Sequence, residues 1–224
     1  MDLQSRSLII KTNSIDVDST QAYTDLCRMG VKYPTDKSPY NKNPELHKHA
    51  YTAIYSMLFS NIRYNDIVLG EVGVLNNQSM LMWREFFTKA KLYGFEYDQN
   101  RIAKATLDKI PNCAYSYMDV KDTKIIESAL SLTKTRFDII IEDSTHVFED
   151  QIRFVSVAYK YIKPGGFIVI EDIFKKAEES AYSEALSHLS DYFSQAMFIN
   201  ANHGLRYSPG WDNDKLLVLH RSEL

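Results

Sequence analysis

Two short apolar runs in this chain end in acid. One reads Phe137-Asp138-Ile139-Ile140-Ile141-Glu142-Asp143 and continues into Ser144-Thr145-His146. The other reads Phe167-Ile168-Val169-Ile170-Glu171-Asp172 and follows Lys163-Pro164-Gly165-Gly166. Runs of this length and apolarity read as buried strands. In an open parallel sheet, ligands bind outside the carboxyl ends of the strands. Asp143, Glu171 and Asp172 are therefore expected to converge on one point. Three unpaired carboxylates at that spacing repel, and a divalent cation removes the cost. Hard oxygen ligands select magnesium or manganese over zinc, and no Cys/His cluster argues otherwise. Glu142 should point to the opposite face of its strand, outside the metal shell. His146 stands three residues after Asp143. If the strand ends in a turn, its imidazole reaches the same point, and an unperturbed pKa of about 6.5 suits a base near neutrality.

A second constellation lies earlier in the chain. Leu69-Gly70-Glu71-Val72-Gly73-Val74 ends a strand, and Leu75-Asn76-Asn77-Gln78-Ser79 opens a helix. The free N–H groups of a helix start favour an anion or carboxylate. The later glycines of a G-x-G-x-x-G loop are replaced by Asn and Gln, which weakens a dinucleotide reading. No Lys-Ser/Thr pair follows, so a P-loop is excluded. A cofactor without phosphate would ask less of this loop. Glu96 ends the next strand, some twenty-odd residues on, where an acid suits a ribose diol. Asp119 ends the third strand and could meet an adenine amino group. Taken alone, each acid is also an ordinary cap or turn residue.

The elements that position these residues alternate. Strands are expected near 66–74, 92–97, 115–118, 137–143 and 167–172. Helices are expected near 78–87, 100–110, 122–132, 149–162 and 177–192, with Asp122 as a cap. Further runs at 197–200 and 215–220 read as an antiparallel hairpin closing the sheet edge. The pattern is that of an α/β fold: a Rossmann-like, doubly wound, mostly parallel seven-stranded sheet with a C-terminal antiparallel hairpin. Residues 44–61 show helical spacing, and this domain is expected to span 44–224. Residues 1–43 read as an N-terminal segment and cap loop, with a short helix near 21–29 that Gly30 stops. Tyr40, Tyr51, His47 and His49 could reach the site, although surface packing is the simpler expectation. Trp83 and Met82 read as core. The loop from His203 to Trp211 either covers an acceptor or is a wide hairpin.

Composition sets the outer bounds. The 224 residues suffice for one domain with a full core, at 45% hydrophobic and 25% charged. A net charge of −3 argues against a nucleic-acid footprint. No apolar run is long enough to cross a bilayer, so no membrane partner is expected. Residues 1–7 hold no apolar stretch of a secretory signal. Cys27 and Cys113 make no disulfide framework and read as reduced thiols, which fits a cytoplasmic setting.

Taken together, these motifs resemble class I S-adenosylmethionine-dependent methyltransferases. More narrowly, they resemble the metal-dependent sugar O-methyltransferases of the macrocin and mycinamicin type. The resemblance runs from Thr35 to about Leu219. It rests on Thr35-Asp36-Lys37, His49-Ala50-Tyr51, Glu71-Val72-Gly73-Val74, Ser79 and Met82-Trp83. It rests further on Asp143-Ser144-Thr145-His146, Lys163-Pro164-Gly165-Gly166 and Ile170-Glu171-Asp172. The resemblance implies that Asp143, Glu171 and Asp172 ligate magnesium or manganese and that His146 is the general base. It implies that Glu71, Gly73 and Ser79 line the methionine end of S-adenosylmethionine. Glu96 would hold its ribose, and Asp119 with Val120 its adenine. The implied acceptor is a sugar hydroxyl on a glycan or glycosylated natural product. Two departures stand out: the glycine-poor 75–78 stretch, and Ser144 in place of glycine beside Asp143. They leave two other readings open, a degenerate methyltransferase fold kept as a binding subunit and a nicotinamide-dependent oxidoreductase. The acceptor's identity and the existence of a homo-oligomer stay open at this level.

Overall fold

The structure, a computed structural model, describes residues 12–44 and 46–223. The opening stretch, with its lack of a signal pattern, lies outside them. Fifteen main elements follow in order: β1 (Thr12–Asp18), α1 (Asp25–Lys32), α2 (Tyr51–Phe59), β2 (Val68–Val72), α3 (Gln78–Phe86), β3 (Lys91–Glu96), α4 (Gln99–Leu107), β4 (Cys113–Tyr117), α5 (Thr123–Leu132), β5 (Phe137–Glu142), α6 (Phe148–Ala158), β6 (Ile162–Ile170), α7 (Glu179–Ala185), β7 (Phe193–Asn202) and β8 (Lys215–Arg221). They form one sheet in the order β1-β7-β8-β6-β5-β2-β3-β4. Strands β2 to β6 pair in parallel, and β8 pairs antiparallel with both β6 and β7.

The sheet has eight strands, not seven. The added strand is β1, which pairs in parallel with β7 from Thr12↔Ala196 to Asp18↔Asn202. Its sequence, TNSIDVD, is largely exposed, so it lacks the buried face that marks a strand in a sequence. Such a polar edge suits the outermost position of a sheet. The N-terminal segment is thus a strand and a helix joined to the fold. Gly30 does not stop α1 either; it lies inside the helix and is buried. A Cβ there would come within 2.6 Å of Ser38 Cβ. The glycine is spent on close approach of the 33–41 loop, which carries Lys37.

Apolar side chains fill both faces of the sheet. One cluster joins Leu26, Tyr55 and Trp83 of α1–α3 to Leu69, Ile139 and Val169. The other joins Ile126, Phe154 and Tyr182 of α5–α7 to Phe95, Ile140 and Ile168. Each fully buried side chain of this size contributes roughly 1.5–3 kcal/mol. Asp122 caps α5 as expected, accepting from the Lys124 amide at 2.8 Å. The Lys163–Gly166 run lies inside β6, where pairing with β5 shifts register. Connections leave β2 toward β3 on one side, while β5 and β6 lie on the other. The crevice at this switch point is where such sheets bind ligands. Among the described residues, no helix is long and apolar enough to cross a membrane.

Candidate active site

Backbone bonds beyond the strand ends bring the chemistry-bearing residues side by side. The Gly73 amide donates to Phe95 O at 2.8 Å, Asp143 to Val72 O at 2.9 Å and Glu171 to Glu142 O at 2.9 Å. Gly73 has φ +88°, and a Cβ there would lie 2.0 Å from the Asp143 carbonyl oxygen. No side chain fits, because the obstacle is backbone. Gly73→Ala is expected to cost about 3 kcal/mol through clash and left-handed strain. A denaturant melt that moves by less than a third of this would refute the close approach.

One cleft of about 450 Å³ opens over these strand ends. Glu71, Gly73, Ser79, Glu96, Asp119 and Val120 line it. So do Asp143, His146 and Asp172. Glu171 does not: it is 1% exposed, and its oxygens accept from Lys37 Nζ at 2.7 Å and from the Tyr55 hydroxyl. Of the three expected metal acids, Asp143 and Asp172 face the cleft, and Glu171 meets Asp143 through the shared Lys37 ammonium. Among the described residues, side-chain atoms of Asp143, His146 and Asp172 all lie within 4.8 Å of one another and could share an ion. His146 and Asp172 both adopt left-handed backbone, φ 57° and 58°. That conformation costs a non-glycine residue about 1–2 kcal/mol, and strain of this kind gathers at functional sites.

Lys37 fills the place beside Glu171. It is 1% exposed and pairs with Asp143, with Glu171, and with Glu71 Oε1 at 3.4 Å. Burial opposes its charge, but Asp143, Glu171 and Glu71 outweigh that and raise its pKa. Burial opposes ionisation of Asp143 too, yet Lys37 and His146 hold its carboxyl well below the ordinary range. Burial pushes Glu171, Asp172 and Glu71 up despite their cationic neighbours. His49 and Tyr51 are not surface packing. Tyr51 donates to Asp172 Oδ1 at 2.6 Å, and His49 Nδ1 lies 3.2 Å from Asp214 and 3.6 Å from Asp172. Lys37 was given no role from the sequence, although converging buried acids require cations and donors, and Lys37, His49 and Tyr51 all stand in the motifs quoted from the adjoining segment.

His146 Nε2 lies 3.2 Å from Asp143 Oδ1 and 3.4 Å from Asp172 Oδ2. Burial alone would lower its pKa; Asp143, Asp172 and Glu142 override that and raise it to about 9. Near neutrality the imidazole is therefore held as a cation between the two carboxylates. Glu142 is buried and pushed up to about 7 by desolvation, against two hydrogen bonds from Ser144. Its Oε2 has no hydrogen-bond partner. Ser144, which replaces the glycine, thus binds the acid that faces away from the cluster. Around the strand ends the acids Glu71, Glu142, Asp143, Glu171, Asp172 and Asp214 outnumber the cations Lys37, His49, His146 and Arg206. Two carboxylates and an imidazole aimed at one point fit a divalent cation that keeps waters in its shell.

The glycine-poor turn is held by side chains instead. Leu75 and Asn77 take φ 44° and 68°. Asn77 donates to Asp108 at 2.8 Å and accepts from the Tyr115 hydroxyl at 2.8 Å. Glu96 accepts from the Val74 and Leu75 amides at 3.2 and 3.1 Å, and from Tyr97 and Asp98 at 2.9 and 3.1 Å. It pins the turn while lining the cleft. Asp119 accepts from the Lys121 amide at 2.9 Å, as a turn residue would, and also lines the cleft. Trp83 is core as expected, and its indole donates to Glu71 at 2.5 Å.

The sheet order, with its cleft at the switch point and acids at the strand ends, is that of a Rossmann-like α/β fold. Residues 71–173 match the family model of a methyltransferase domain. The chain is 25% identical over 156 residues to the 8-demethyl-8-(2-methoxy-alpha-L-rhamnosyl)-tetracenomycin-C 3'-O-methyltransferase of Streptomyces olivaceus, covering 66% of this chain and 37% of that protein. It is 24% identical over 157 residues to the mycinamicin VI 2''-O-methyltransferase of Micromonospora griseorubida, covering 66% and 36%. The chain thus spans well under half the length of these relatives. Among solved structures it superimposes on the MycE methyltransferase of the mycinamycin pathway, solved with Mg, SAH and mycinamycin VI. That match has a TM-score of 0.66 at 17% identity, over 90% of this chain and 55% of that one. The fold is shared accordingly, and the resemblance read from the motifs is to sugar-modifying O-methyltransferases.

Proposed function

We propose that this domain transfers a methyl group from S-adenosylmethionine to a sugar hydroxyl, with magnesium bound at the strand ends. The observation that carries the reading is the single cleft shared by Glu71, Gly73, Glu96 and Asp119 and by the Asp143, His146 and Asp172 group. The named activities of the relatives point the same way. Glu96 and Asp119 would hold the ribose and adenine, and Gly73 and Ser79 would line the methionine end. Asp143 and Asp172 would hold the metal. When bound, S-adenosylmethionine would supply an electrophilic methyl, and magnesium the positive charge that orients and acidifies the acceptor hydroxyls. His146 would take the hydroxyl proton at Nε2. As the structure stands, the two carboxylates keep that nitrogen protonated; neutralising them frees it to act as a base.

The test is methyl transfer from S-adenosylmethionine to methyl α-L-rhamnopyranoside and related methyl glycosides, read by mass spectrometry. Transfer is expected with magnesium, and loss of at least about a hundredfold with EDTA, as for removal of a catalytic Lewis acid, with recovery on adding the metal back. Failure of the protein to bind S-adenosylmethionine by calorimetry would sink the proposal.

A further inference from the structure

The connection between β7 and β8 carries an aromatic surface that the chemistry above leaves unused. Trp211 is 45% exposed. Its ring stacks on Phe174, 5.6 Å between centroids at 24°. It stands nearly perpendicular to His146, 6.4 Å away at 88°, and to His47, 6.2 Å away at 74°. The loop around it is tied down. The Trp211 amide donates to Ser208 O at 3.0 Å, and Arg206 Nη2 donates to Trp211 O at 3.0 Å. The same Arg206 pairs with the buried Asp214, which holds His49 beside Asp172. A large ring left half in water gains little from burial. Holding it still costs conformational entropy. An anchored, exposed aromatic next to the reacting group offers a rigid apolar face on which a ligand can pack.

The site then presents two chemistries to one ligand: carboxylates and an imidazole on one side, an aromatic wall on the other. A pyranose ring matches both. Its hydroxyls leave the ring edge, while its axial C–H bonds form an apolar face. We infer that Trp211, backed by Phe174, is the platform on which the acceptor's sugar ring lies while its hydroxyls meet Asp143, His146 and Asp172. The inference rests on the sugar-methylation reading and deepens it. It names a binding residue outside the cofactor cleft, and it restricts the acceptor to a closed saturated ring rather than an open-chain polyol.

The chain has two tryptophans, and Trp83 is fully buried. Acrylamide quenching of tryptophan fluorescence therefore reports on Trp211. The probe is methyl α-L-rhamnopyranoside, titrated into protein holding S-adenosylhomocysteine and magnesium, with erythritol as the open-chain control. The glycoside is expected to shield Trp211 from acrylamide, and erythritol is not. In turnover, Trp211→Ala should raise KM for the glycoside about tenfold, with a smaller effect on kcat. Trp211→Phe should keep KM within about threefold of the parent. Affinity for S-adenosylhomocysteine, measured by calorimetry, should not follow the KM change. If it falls in parallel, the shielding of the unaltered protein alone decides. Methyl transfer with no shielding and an unchanged KM in Trp211→Ala would overturn the platform and leave the sugar-methylation reading intact. Shielding without transfer would support the platform and defeat that reading. Neither shielding nor transfer with methyl rhamnoside, glucoside and galactoside would overturn both.

Discussion

Lys37→Met is expected to lower stability by about 3–5 kcal/mol, the usual cost of stripping one partner from a buried ion pair. For a domain of this size that is roughly 10 °C or more in thermal midpoint. The reason lies in what the ammonium touches. It pairs with Asp143, Glu171 and Glu71, and each partner is at most 16% exposed. Methionine keeps most of the volume and removes the charge, so the loss isolates electrostatics from packing. The site then has one cation fewer in a place where acids already outnumber cations. A divalent ion becomes a replacement counter-charge. Magnesium should therefore raise the midpoint of the variant more than that of the parent, by mass action on the folded state. Thermal melts with EDTA and with magnesium read both effects. A variant within about 1 kcal/mol of the parent would mean that the acids are balanced without Lys37.

Much of this arrangement was legible because strand ends announce themselves. The runs ending at Asp143 and Asp172 are apolar, short and followed by polar turns. The alternation of elements placed them in one parallel sheet, and parallel sheets put their carboxyl ends together. The nine cleft-lining residues named from the sequence therefore share one cleft. What stayed hidden depended on contacts between distant segments. Glu171 and Asp172 are neighbours in sequence, but one faces Lys37 and the other faces His146. Neighbours leaving a strand point opposite ways, as for Glu142 and Asp143, and Asp172 adds a left-handed backbone there. Lys37 sits in the polar, proline-broken loop of the N-terminal segment. Its burial depends on Gly30 admitting that loop against α1, a contact absent from any local pattern. The edge strand β1 escaped because it buries too little to alternate visibly. Missing glycines at residues 75–78 weakened a dinucleotide reading, and Asn77 and Glu96 hold that turn through side-chain bonds instead.

His146→Ala is expected to lower kcat by about 10²–10⁴-fold, the range for removing a positioned general base. The geometry leaves a rival role for this residue. Its Nε2 and the carboxylate oxygens of Asp143 and Asp172 lie within 4.8 Å of one another, so the imidazole could serve as a third metal ligand. The two roles predict opposite changes in magnesium affinity. As a base, His146 in the metal-free state is a cation lodged between two carboxylates and competes with the ion for them. Removing it should leave magnesium binding unchanged or tighter. As a ligand, it contributes directly, and its loss should weaken magnesium about tenfold or more, since even groups behind the ligands contribute that much. Calorimetry with magnesium and single-turnover methyl transfer, on the same variant with S-adenosylmethionine bound, separate the cases. Slow transfer with undiminished magnesium affinity assigns His146 to the proton. Slow transfer with weakened magnesium assigns it to the metal. Transfer at the parent rate removes it from the chemistry and leaves its left-handed backbone, with the strain that this costs, unexplained by function.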